Sequence, residues 1–330
     1  MVARLGTGSG GLAIDTSGLY YGERVGARSV VHRRDHATGA DRIVYRAPAG
    51  PIITRLEVGG GTLAVELQGG GEQEDVLTRV VALSATGGPA STRASGRYAE
   101  FRRRRCGSMV ELLDVAPDGV VVFQVVRRNR PCGGRVGGEI AYASPGGRPR
   151  VVLRGPSTRR GGALRDVFLG ARVGGGGLLA HTALGALVTR PPSAARALPV
   201  PGEGPIRSAD QDASGRAVVA RSGRGGGPSR ITVFGSLAAP PMASFPATAR
   251  FSDVLLCGER VVEVAPFADS PDSPRVTVRA FDGSGARVLP VAADPEAIVV
   301  GQACTGGLLT LVSRSGSTGA TVVETLSLDP

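Results

Sequence analysis

Not one lysine occurs in this chain of 330 residues: all 39 basic side chains are arginine. Without lysine there is no P-loop, whose lysine reaches the nucleotide phosphates, and no protein-kinase strand lysine. A pyridoxal phosphate enzyme, which needs a Schiff-base lysine, is excluded too. Tryptophan is also missing and aromatics make up 4%, which removes both the Trp-Asp signature of WD repeats and a Trp-lined sugar platform. No apolar run reaches the roughly 18 residues of a membrane-spanning helix. The segment MVARLGTGSGG has no apolar stretch of the kind a secretory signal carries. Either the protein is cytoplasmic, or it is a mature extracellular or cell-envelope chain whose signal or anchor precedes Met1.

What is abundant is glycine, 51 residues, with 23 prolines. Together they are 22% of the chain (74 of 330), short of the ~25–30% that marks low complexity. With 42% hydrophobic residues and a mean hydropathy of +0.06, the composition describes an ordered, turn-rich chain with material for a core. Its bias toward Arg, Gly, Ala, Pro and Val is that of GC-rich codons.

The glycines are periodic. A polar turn ending in Gly precedes an apolar run at Gly18 (LYYGE), Gly61 (TLAVEL), Gly119 (VVVFQVV) and Gly177 (LLAHT). It returns at Gly215 (RAVVAR), Gly258 (ERVVEV) and Gly307 (LLTLV), so six steps from Gly18 to Gly307 average about 48 residues. After each comes a second unit of strand, tight turn and strand, such as EIAYA–SPGG–RPRVVLR from Glu139. Period-2 apolar runs bounded by Gly, Pro, Asp and Ser are strands and hairpins, and long capped 3.6-residue periodicity is essentially missing. Four short strands in every ~45–50 residues match one blade of a β-propeller.

The expected fold is therefore all-β: a single-domain, seven-bladed β-propeller of four-stranded antiparallel blades. Six or eight blades, or a two-sheet array, are the alternatives. The expected blades are 10–48, 50–95, 109–155, 163–201, 204–247, 250–292 and 296–330. The last lacks a fourth strand, which Val2 to Leu5 would supply against Thr321 to Leu328, removing an open edge. Blade three, LLDVAPDGVVVFQVV…GEIAYASPGGRPRVVLRG, resembles a TolB-type propeller repeat, with its Pro-Asp-Gly turn before the second strand. WD-repeat propellers are the neighbouring family. The resemblance implies a fold and carries over no catalytic residue.

Charge is concentrated in one sector. From Arg93 to Arg160 there are 15 arginines and 5 acids, a net of +10, whereas the remaining 24 arginines and 23 acids net +1. The clusters are Arg102, Arg103, Arg104 and Arg105; Arg127, Arg128 and Arg130; and Arg159 with Arg160. Strand counting puts all of them in second-to-third loops or blade-to-blade connections, which share one end of the blades, the connection face. A focused basic patch attracts polyanions, with Tyr98 and Phe101 beside it for stacking. The competing reading is a solvated, codon-biased loop. Sequence-specific DNA binding is not expected, because no recognition helix can be read.

Of the four cysteines, Cys106 and Cys132 share the connection face of blade three, while Cys257 and Cys304 occupy equivalent turns of blades six and seven. The expected disulfides are Cys106–Cys132 and Cys257–Cys304; the alternative is four inert, buried thiols. Asp210-Gln-Asp212-Ala-Ser214-Gly215 copies the front of a calcium loop, but position twelve is Arg221 where an EF-hand needs Glu. An Asp/Gly turn explains it without a metal. His32, Asp35 and His36 flank a strand-to-turn junction with no third zinc ligand suitably spaced, and His181 stands alone. Gly6, Gly8 and Gly11 spell a dinucleotide fingerprint without the βαβ unit that gives it meaning. No G-x-S-x-G elbow or Cys-His signature occurs.

No cofactor and no metal are expected. The function these residues favour is a non-enzymatic, exported binding or scaffold module, a monomer, meeting a protein or anionic polymer through blade three's basic loops. The rival is a propeller hydrolase or lyase acting on a polysaccharide or peptide at the channel mouth.

Overall fold

Alternating apolar residues between glycine turns give strands throughout the described residues of the computed structural model. These are 2–5, 11–70, 75–99, 107–128, 136–155, 168–175, 177–182, 185–189, 195–223, 229–248, 252–265, 275–291, 297–305, 307–315 and 321–328. None of them is helical. The chain forms two compact units, Gly8–Phe168 and Leu169–Pro330 together with Met1–Thr7.

In the Gly8–Phe168 unit, blade one is β2(Leu12–Ile14), β3(Gly18–Val25), β4(Arg28–Asp35) and β5(Asp41–Ala49). Blade two is β6(Ile52–Gly59), β7(Thr62–Gly70), β8(Asp75–Ser84) and β9(Ser91–Ala99). Blade three is β10(Gly107–Val115), β11(Val121–Arg128), β12(Val136–Ala143) and β13(Arg150–Arg154). A single pair, Gly107 with Tyr98, links blades two and three into one hydrogen-bonded sheet.

The other unit holds blade four, β14(Gly170–Gly174), β15(Gly177–His181), β16(Ala186–Thr189) and β17(Arg196–Leu198). Blade five is β18(Ile206–Gln211), β19(Ala217–Arg221), β20(Arg230–Phe234) and β21(Pro241–Pro246). Blade six is β22(Asp253–Cys257), β23(Arg260–Ala265), β24(Arg275–Ala280) and β25(Arg287–Leu289). Blade seven is β26(Ala297–Thr305), β27(Leu308–Ser315) and β28(Thr321–Ser327), completed by β1(Val2–Leu5). The expected closure is present: Val2 to Leu5 run antiparallel to Glu324 to Thr321. Seven blades of four antiparallel strands make the fold class a seven-bladed β-propeller.

Blades two, five and six are buried on both faces, so their second strands are apolar at consecutive positions (Leu63 to Val65, Ala217 to Ala220, Val261 and Val262). In blade two, Leu63, Val65 and Leu67 pack with Tyr20 and Val31 of blade one. Ala64, Val80 and Ala82 on the opposite face receive Leu112 and Phe123 of blade three. Small residues face large ones, as close packing requires. The recurring glycine turns pack on one another too. A Cβ on Gly60 would lie 2.4 Å from the Gly119 nitrogen of the next blade's turn, and one on Gly175 would lie 2.3 Å from the Ala213 carbonyl oxygen.

In four second strands, four or five residues past the turn glycine, stands a polar side chain: Glu66, Gln124, His181 or Glu263. Each satisfies groups at a blade boundary. Glu66 accepts the Leu112 amide at 2.6 Å, Gln124 Nε2 donates to the Phe168 carbonyl at 2.8 Å, and Glu263 accepts from the Thr248 amide and Ser252 Oγ, both at 2.7 Å. His181 is 5% exposed, its ring so close over Gly170 that a Cβ there would lie 2.6 Å from Cε1. Burial, reinforced by the Arg172 charge and partly opposed by a hydrogen bond to the Arg207 backbone, lowers its pKa to about 4.

Two predictions follow from this packing. Cys257 and Cys304 are joined, with Cα atoms 5.6 Å apart and a separation of 47 positions in sequence. A loop of that length restricts the unfolded chain by about 4 kcal/mol in the chain-entropy account. Replacing both cysteines by Ser is expected to lower the thermal midpoint by several degrees, checked by calorimetry alongside free-thiol titration. His181 is neutral in the folded state, so stability is complete above the unfolded value of 6.5 and falls as pH drops toward about 4. The loss reaches at most about 3 kcal/mol. Denaturant titrations across that window should show a flatter pH dependence for His181→Gln than for the parent chain.

Candidate functional site

The pleat of β8 decides which residues of blade two are presented to solvent. Thr78, Val80 and Ala82 point toward blade three, and Thr78 Oγ1 accepts the Val110 amide at 2.8 Å. Val81 and Leu83, on the other face, are covered by blade one. Toward the connection-face end that cover stops. Leu77, on the same face, is 47% exposed, and Arg79 is exposed as well.

Register supplies the neighbours. Arg97 of β9 pairs directly opposite Leu77, and Ser95 opposite Arg79. Leu67 and Gly69 of β7 lie across from Arg79 and Leu77. Here opens a cavity of about 860 Å³. The connector Pro48–Pro51 lines one side, and Gly107, Ser108 and Val125 line the other. Gly96 permits this closeness, because a Cβ there would lie 2.4 Å from the Ser108 carbonyl oxygen. Among the described residues its lining combines aliphatic side chains, hydroxyls and two guanidinium groups, with no acid and no aromatic residue.

The cavity borders the basic sector expected from sequence. The backbones of Arg127 and Arg128 pair with Ser108 and Gly107, two of the lining residues. The Arg102–Arg105 run lies in sequence between β9 and β10, whose ends line the same cavity. Arg102, Arg103, Arg104, Arg105, Arg130, Arg159 and Arg160 lie outside the described residues, as do Cys106, Cys132 and the side chains of Arg127 and Arg128. Cys257–Cys304 is the described disulfide. Sequence inspection for runs of charge passed over Arg79 and Arg97. Their signal was alternation: Leu77 and Arg79 sit two apart in a strand whose intervening residues are core.

The other singled-out residues serve local structure. Asp212 Oδ1 accepts from the Ser214 amide, the Ser214 hydroxyl and the Arg216 amide, at 2.9, 2.7 and 3.0 Å. Its Oδ2 accepts from Arg216 Nε at 2.7 Å. Burial works to raise the Asp212 pKa, and these hydrogen bonds outweigh it and lower the pKa. Asp210 points elsewhere, accepting the Leu256 amide at 2.8 Å and pairing with Arg172 at 3.3 Å. His32 lies stacked on Tyr21, with Nδ1 2.9 Å from Asp41 and Nε2 3.0 Å from Glu23. Its two nitrogens face opposite ways, so the two carboxylates and the ring do not converge on one point. Asp35 holds the turn through the Ala37 and Thr38 amides, and His36 Nε2 contacts the Asp15 carbonyl at 3.2 Å. Among the described residues no group of three or more His, Cys, Asp or Glu is arranged to hold a metal, and no helix is long and apolar enough to cross a membrane.

No family model and no curated protein matches the sequence. Solved structures do match. The β-propeller domain of Myceliophteria thermophila Cps50 (Swd1) is 15% identical, with TM-score 0.55, over 99% of this chain and 100% of that one. The β-propeller domain of the Trilobed protease from Pyrococcus furiosus is 7% identical, TM-score 0.55, over 98% of both. A chain from a study of two prolyl endopeptidases is 14% identical, TM-score 0.62, over 97% of this chain and 47% of that one, so this chain spans about half its length. At these identities the likeness is one of fold: the chain is a seven-bladed β-propeller.

Proposed function

We propose that this chain is a non-enzymatic propeller module, exported, that binds an anionic partner through the connection-face end of blades two and three. The observation that carries this reading is the coincidence of two features in one place. The segment Arg93–Arg160 holds +10 of the chain's +11 net charge, and the cavity with Arg79 and Arg97 opens where that segment's strands end. Arginine suits such a surface because its planar fork pairs with carboxylate and phosphate in two-point fashion. The Cys257–Cys304 disulfide supports an oxidising compartment. The likeness to propellers of a protease and a prolyl endopeptidase favours a second reading, in which the propeller serves a hydrolase acting on a peptide.

Binding of a heparin-like sugar, a single-stranded oligonucleotide and anionic vesicles, measured across a salt series, tests the proposal. The comparison is a variant with Arg102, Arg103, Arg104 and Arg105 changed to Ser. Each phosphate neutralised on a single strand contributes about 0.7 to the slope of log K against log salt, so the variant's slope should be shallower by about 3. Identical slopes, or no binding by either protein, would overturn the anionic-partner reading. Cleavage of peptide substrates by the purified chain would establish the second.

A further inference from the structure

We propose that the boundary between blades six and seven binds a monovalent alkali cation through the Asp253 carboxylate, the Gln302 amide oxygen and the Ser313 hydroxyl. The site is independent of the anionic-partner reading and uses none of its residues. The first strands of the two blades, β22 and β26, are in contact, and the disulfide fixes their register, with the Cys257 and Cys304 Cα atoms 5.6 Å apart. Asp253 lies four residues before Cys257, about 13 Å along the strand. The same distance back from Cys304 reaches Val299, because the bulge between Val299 and Gly301 absorbs one residue. Ser313 pairs with Val299, and Gln302 pairs with Leu311, two positions from Ser313. Gln302 and Ser313 are thus diagonal neighbours, about 7–8 Å apart, at the level of Asp253.

The pleat sets all three on the surfaces that face each other. Asp253 alternates with Leu255 and Cys257 and stands opposite Val264, and these three pack with Leu309 and Leu311 of blade seven. Ser313 alternates with Leu309 and Leu311, and Gln302 with Cys304. What the three groups lack is donors. Ser313 is 1% exposed, and neither its Oγ nor the buried Gln302 Oε1 has a hydrogen-bond partner among the described residues. Burial by itself raises the Asp253 pKa, so no charge or donor among the described residues acts on its carboxyl. Glu324, across from Leu311, has a partner of its own. Buried polar atoms without protein partners call for a water or an ion, and a desolvated carboxylate calls for a counter-charge. Oxygen donors alone suit a hard cation. One carboxylate balances one positive charge, whereas calcium gathers about six to eight oxygens and a divalent ion here would leave a charge uncompensated in an apolar boundary. An ion held only by the folded chain stabilises it as the site fills.

The test melts the full chain in sodium chloride, potassium chloride and choline chloride at equal ionic strength, beside the variants Asp253→Asn and Ser313→Ala. The midpoint is expected to stand several degrees higher in sodium or potassium than in choline, with saturation as the concentration of that ion rises. Asp253→Asn should abolish the difference and Ser313→Ala should reduce it. Should Asp253→Asn fail to fold, the parent chain and Ser313→Ala decide the matter through the same comparison. Equal midpoints in all three salts overturn the inference. So does an alkali effect of unchanged size in both variants, because the ion then binds elsewhere. A calcium chloride series that raises the midpoint at far lower concentration than either alkali salt, and does so only with Asp253 present, would assign the site to a divalent ion and overturn the monovalent one.

Discussion

Blade stacks on blade, and the burial of both faces of a four-stranded sheet is the constraint on which the rest depends. A sheet covered on one side alternates apolar and polar residues; one covered on both sides has no solvent face to give to polar residues. Blades two, five and six meet this condition between the clusters that bracket them. Their second strands are accordingly apolar at consecutive positions, as in Ala217-Val218-Val219-Ala220, where odd residues face blade four and even residues face blade six.

Such a stack leaves a polar problem at each boundary, because the first strand of a blade has backbone groups along an edge that its own sheet does not pair. Buried amides need partners, and the preceding blade provides them with side chains. Thr78 and Glu66 accept the amides of Val110 and Leu112; Ser208 and Asp210 accept those of Val254 and Leu256. The same arrangement of alternate amides is thus met twice, from different strands and with different residue types. These carboxylates hold structure. Their isolated appearance in apolar strands is explained by the neighbour's backbone.

The candidate site arises where this constraint lapses. Past Val81 the face of blade two outruns the cover of blade one, so Leu77 and Arg79 occupy core-facing register without a core to face. Glycine at position 96 brings the outer strand of blade two against the first strand of blade three, which closes the floor of the cavity. The pleat then sets Arg97 across from Leu77, a pairing that depends on register alone.

The amino-acid sequence by itself determined the repeat, and from local turn chemistry counted along a regular period it led to seven blades, the closing strand and the Cys257–Cys304 pairing as expectations; the choice over six or eight blades and over free thiols came with the structure. Its glycine turns and alternating runs are short-range signals. It also marked blade three as the basic sector, since charge is a matter of composition. The cavity was decided only by tertiary structure. Leu77, Arg79 and Arg97 are ordinary strand residues in sequence, and Arg97 lies twenty positions from Leu77. Only the register of β8 with β9, and the point at which one blade stops covering the next, bring them to one concave surface. The bulges in β6, β10, β18 and β26 had no sequence signal either, because an extra residue in a strand is defined by its partner across the ladder.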